Sequence, residues 1–118
     1  MKPWTYDDYK SAVNNTIDFG VAKRGYSEGE AVGFAHSELS LRLEEFPSEI
    51  SLALVALAAC GIERGGFEEY KRNDFFAAEL RDAVNSQNTQ EALKLLPFEQ
   101  TNNFMNDVEM IKVELNNL

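Results

Sequence analysis

The residue types that most often carry chemistry are scarce in this chain, which has one histidine, His36, and one cysteine, Cys60, among its 118 residues. Zinc sites take several His, Cys or carboxylate ligands at defined spacings, and neither residue has such neighbours in sequence. Paired Glu-x-x-His motifs would build a di-metal bundle, but Gly33 stands three residues before His36. His36 falls on the border of an apolar stripe, where a hydrogen-bonded boundary residue is expected. Cys60 falls in the most apolar run, where a free thiol behaves as a small buried hydrophobe. A reactive thiol would need an electropositive setting, and a single cysteine makes no internal disulfide. The segment Gly25-Tyr26-Ser27-Glu28-Gly29 lacks the lysine and preceding strand of a phosphate loop. No strand-turn-helix setting exists for a serine nucleophile. The pairs Glu44-Glu45 and Glu68-Glu69 would do acid–base work only in a cleft that shifts their pKa values. On a chain this acidic they read as solvated faces. The expectation is a non-enzyme with no cofactor and no metal.

What the residue types do supply is an acidic, apolar-studded surface. Eleven basic against twenty acidic residues give a formal charge of −9. That balance argues against nucleic acid as a partner, because basic side chains supply most of that affinity. It favours cationic protein partners. The imbalance concentrates in residues 27–50, where six glutamates face Arg42 alone. At about 100° per residue, Val32, Ala35, Leu39, Leu43 and Phe46 form one inward stripe. Glu30, Phe34, Glu38, Leu41 and Glu45 form a second stripe roughly opposite. Glu44 and Glu49 are expected at its rim, and Tyr26, beside the cluster, as a further contact residue. The competing expectation is that another helix of the bundle covers Phe34 and Leu41, leaving the glutamates as a solvated border.

These residues must be positioned by helices, because punctuation and period both read as helical. Thr5 with Asp8 forms a capping-box pattern that opens a helix over about Tyr6–Lys23, stopped near Gly25. Its apolar stripe is Tyr6, Tyr9, Val13, Ile17 and Val21, and Trp4, Tyr6 and Tyr9 are expected to seal the bundle. Ser27 with Glu30 repeats the pattern and opens the acidic helix, which Pro47 ends. Ser48 is expected to cap a third helix, with Glu49 suiting its positive end. Leu52–Cys60 is apolar on all sides, as a helix surrounded by others should be. Gly61, Gly65 and Gly66 mark its end. A fourth helical region starts at Phe67 and carries Phe75, Phe76, Ala78, Leu80 and Val84. Asn85–Thr89 reads as a loop with Thr89 capping a short helix to Leu96. Pro97 stands near the start of a last helix, whose stripe is Phe104, Val108, Ile111 and Leu115.

No alternating strand pattern, hairpin dipeptide or internal repeat appears. The expected architecture is all-α: one domain, residues 1–118, in a single compact bundle of five or six helices around a buried third helix. The opening Met1–Thr5 carries no signal-like apolar stretch. The longest charge-free run, Ile50–Ile62, has thirteen residues, too few to span a bilayer. A cytoplasmic protein that does not enter the membrane is expected.

Three features together resemble a known group: Trp4-Thr5-Tyr6-Asp7-Asp8, the Gly25-Tyr26 turn before an acidic helix, and the alanine-rich third helix followed by Gly65-Gly66-Phe67. They are similar to the small helical immunity proteins of bacterial polymorphic-toxin and contact-dependent inhibition systems, specifically the third numbered immunity family. The likeness covers roughly residues 4–85. It implies a non-enzymatic inhibitor that binds the C-terminal domain of its cognate toxin, often a nuclease with a basic surface. A helical adaptor that takes a peptide or partner helix in a groove is the alternative. Monomer and weak homodimer both fit the same anchors.

Overall fold

A computed structural model describes residues 2–116, and every regular element among them is helical. Seven α-helices follow in order: α1 Tyr6–Arg24, α2 Glu28–Glu45, α3 Ile50–Arg64, α4 Phe67–Tyr70, α5 Asp74–Ala83, α6 Ser86–Leu93 and α7 Thr101–Asn116. Short 3-10 turns at Pro47–Glu49 and Phe98–Gln100 precede α3 and α7. The all-α class therefore stands, with more helices than the five or six expected. The difference lies in the fourth helical region, which splits into α4 and α5. Asn73 takes an extended backbone between them, and its side chain accepts from the Phe76 N–H to cap α5 afresh.

Both capping boxes form as the sequence indicates. Thr5 Oγ1 accepts from the Asp8 N–H while Asp8 accepts from the Thr5 N–H, and Ser27 and Glu30 do the same for α2. Gly25 ends α1 and Gly65 ends α3, each left-handed at φ 70° and 81°, a conformation that other residues adopt only with strain. Two caps differ from expectation. Pro47-Ser48-Glu49 makes a 3-10 turn, so α3 starts at Ile50 and Ser48 caps nothing. Asn85, not Thr89, caps α6, and the Thr89 hydroxyl is buried and donates to the Asn85 carbonyl.

The third helix is central. Ser51 through Gly61 are all buried, and α3 packs against each of the other six α-helices. Around it the inward stripes pack into the core over most of their length, with Val21 of α1, Leu43 of α2 and Phe46 just after α2 only half-buried. Tyr6, Tyr9, Val13 and Ile17 of α1, Val32, Ala35 and Leu39 of α2, and Phe104, Val108, Ile111 and Leu115 of α7 are all buried in one core. In α5 the buried residues are Ala77, Leu80 and Ala83, while Phe75 stands out at 67% exposed. No helix among the described residues is long and apolar enough to cross a membrane.

Candidate functional site

The second stripe of α2 faces outward, and its members divide by environment. Glu30, Glu38, Glu44 and Glu45 are exposed, and none forms an ion pair among the described residues. Leu41 is 70% exposed, so no helix of the bundle covers it. Phe34 is half-buried against the end of α1. Its ring stacks on Phe19 at 6.4 Å and meets Tyr26 at 5.7 Å. Gly20 permits that approach, because a Cβ there would stand 3.1 Å from the Tyr26 ring and 3.3 Å from Ala31. The Arg24 guanidinium lies 5.2 Å from the Phe34 ring and 5.7 Å from Phe19, so one cation borders the acidic stripe.

Phe34 is a ridge between two hollows. One, of about 430 Å³, lies between α2, α4 and the start of α5, and its lining includes Tyr26, Glu30, Glu69 and Phe76. The other, of about 380 Å³, lies between α1 and α2 and includes Phe19, Arg24 and Glu38. A smaller one, of about 140 Å³, shares Thr16 and Glu38 with it and runs towards Trp4 and Arg42. Of the sequence-derived residues, Tyr26, Glu30, Phe34 and Glu38 meet around these hollows. Leu41, Glu44 and Glu45 continue the same helix beyond them.

Glu49 does not belong to this surface. It is 3% exposed, and its carboxylate accepts from the Trp4 N–H at 3.2 Å, the Tyr9 hydroxyl and Arg42 Nη2 at 3.3 Å. Arg42 is sandwiched at 3.9 Å from the Trp4 ring and 4.4 Å from Phe46. The 3-10 turn at Pro47–Glu49 turns the carboxylate inward, where it ties the start of α1 to the junction of α2 and α3. Glu49 pins the bundle together, and its place at the rim of the site is corrected accordingly.

His36 sits behind the larger hollow, 3% exposed, with its ring stacked on Phe76 at 4.3 Å. Nδ1 lies 2.8 Å from the Tyr70 hydroxyl and Nε2 lies 3.2 Å from Glu79 Oε1. Burial and the nearby Glu79 push the Tyr70 hydroxyl well above its usual range, so it stays protonated and donates. Nδ1 then accepts, and the neutral ring carries its proton on Nε2 towards Glu79. Burial holds the imidazole below its ordinary pKa, with Glu79 partly offsetting. This cluster orients Phe76 and leaves no free ring nitrogen for a reaction. Cys60 is fully buried, and burial pushes its thiol up to about 11. No group of three or more His, Cys, Asp or Glu that could hold a metal occurs among the described residues.

Sequence reasoning missed Phe19, Glu69 and Phe76. Phe19 left a signal, since it falls off the inward stripe of α1 yet is aromatic. Glu69 and Phe76 come from another part of the chain, and helical projection of α2 alone has no access to them. The chain matches no family model, no curated protein and no solved structure.

Proposed function

We propose that this protein is a helical inhibitor that binds a basic partner protein, the toxin domain of an immunity pair, through the exposed face of α2. One observation carries the reading. Leu41, 70% exposed, and Phe34, half-buried, lie two turns apart on a helix whose flanking glutamates form no ion pair among the described residues. Apolar anchors ringed by uncompensated charge suit an interface in which the anchors set the lifetime and the charges speed the encounter. The resemblance of residues 4–85 to an immunity family points the same way. In this reading the protein acts in the cytoplasm, as a monomer or weak homodimer, and has no catalytic step.

Binding kinetics test the proposal. Phe34→Ala and Leu41→Ala should raise the off-rate, and Glu38→Lys should lower the on-rate and flatten its salt dependence. Unchanged rates in all three would remove this face from the interface. A second reading, an adaptor for a partner helix or peptide, is favoured by the run of hollows joined through Phe34 and Glu38. It predicts binding that salt barely weakens.

A further inference from the structure

The hollow between α2, α4 and α5 holds two carboxylates at fixed positions. Ser27 Oγ donates to Glu69 Oε1 at 2.9 Å and Oε2 at 3.2 Å, while the Ser27 N–H donates to Glu30 Oε1 at 2.9 Å. Both acids are thus anchored to one residue, and neither forms an ion pair among the described residues. The lining contains no lysine or arginine. Its walls are aromatic, with Tyr26 and Phe34 on one side and Phe76 on the other, the last held in a stack with Tyr70 at 5.4 Å. Glycines bring these walls close: a Cβ on Gly29 would stand 2.4 Å from Glu69 Cβ, and one on Gly33 would stand 3.1 Å from Phe76.

We propose that this hollow receives a single arginine side chain presented by the partner protein, a reading that rests on the inhibitor function proposed above. A flat, weakly hydrated guanidinium stacks on rings while its fork of N–H groups reaches carboxylates, which an ammonium does less well. The chain already builds one such site for itself: Arg42 lies between Trp4 and Phe46 with Glu49 as its carboxylate. The hollow offers the same combination, aromatic rings with carboxylates, and opens to solvent. Arg24 takes the neighbouring position over Phe34, on the side of the smaller α1–α2 hollow. Charge complementarity therefore favours a cation in the larger hollow.

The test is a ¹⁵N-NMR titration of the full chain with N-acetyl-arginine methylamide, beside the lysine and norleucine analogues. The arginine probe should give saturable shifts at the amides of Gly29–Phe34 and Asn73–Phe76, with a dissociation constant on the order of millimolar. The lysine analogue should bind more weakly and the norleucine analogue should leave these amides unmoved. Glu30→Gln with Glu69→Gln keeps acceptors for Ser27 while removing both charges, and should weaken the probe at least tenfold. Ser37→Trp, which fills the hollow from an exposed lining position, should abolish binding without touching either acid. No saturable shift at these amides, equal response to lysine, or indifference to both variants would overturn the proposal. The fate of the inhibitor reading is separable. Toxin-domain affinity that survives the double Gln variant overturns the arginine receptor alone, whereas probe binding without toxin binding overturns the inhibitor reading alone.

Discussion

Replacing Glu49 by alanine should destabilise the fold and leave the α2 face intact. The carboxylate accepts from three groups at once: the Trp4 N–H, the Tyr9 hydroxyl and Arg42. Removing one member of a buried ion pair typically costs about 3–5 kcal/mol, because the other charge stays behind in a poor solvent. The Arg42 side chain is 10% exposed and keeps the Tyr9 hydroxyl at 3.1 Å and the Lys2 carbonyl at 2.9 Å. Those acceptors moderate the loss, which places Glu49→Ala at the lower end, about 3 kcal/mol. For a domain of this size that is a fall in Tm on the order of 10 °C. Glu49→Gln keeps an acceptor and gives up the charge, and should lose about 1–2 kcal/mol. Urea unfolding followed by far-UV circular dichroism at neutral pH measures both. A Glu49→Ala stability within ~0.5 kcal/mol of the parent, the size of an ordinary surface change, together with weakened partner binding, would return Glu49 to the interface.

Leu41→Ala should do the reverse, with a stability change within about 0.5 kcal/mol in the same unfolding experiment; a large loss would mean that Leu41 packs against something. Gly66→Ala should cost about 1–3 kcal/mol, because its Cβ would meet the Glu28 carbonyl carbon at 2.8 Å, backbone that has no rotamer to yield; a neutral result in the same assay would contradict the tight α2–α4 approach. Because burial holds the His36 imidazole below its ordinary 6.5, the unfolded chain takes up that proton first as pH falls. The stability contributed by neutral His36 is therefore full above that range and is lost as pH drops from about 6.5 towards the folded value. Urea midpoints at pH 7.5 and 5.0 should fall more steeply in the parent than in His36→Gln, and equal slopes would contradict the assignment.

Helix existence and the inward stripes were legible in the chain because both depend on local spacing. Thr5 with Asp8 and Ser27 with Glu30 are self-contained signals, as are Gly25 and Gly65 at helix ends. A role that depends on a distant residue leaves little local trace. Glu49 reads as a surface acid until Trp4 and Tyr9, more than 30 positions away, fold against it. The Asn73 break in the fourth helical region competes with helical propensity only through a side-chain cap, and Asn85 takes over the cap expected from Thr89 for the same reason. On the candidate site, projection grouped the second stripe of α2 but left open whether its leucine is covered, and the structure leaves Leu41 70% exposed. Cover of Phe34 was equally open, and Phe19, which lies on another helix, covers it in part. The larger hollow needed Glu69 and Phe76 brought to α2 by tertiary packing, so no reading of residues 27–50 contained it.

Isothermal titration of this protein against the C-terminal domain encoded by the adjacent gene, at two salt concentrations, tests whether the α2 face binds a toxin. Nanomolar or tighter binding that weakens with salt and is lost in Phe34→Ala with Leu41→Ala is the predicted result. Absence of heat, or tight binding indifferent to both substitutions, would contradict the assignment of the α2 face to a toxin partner.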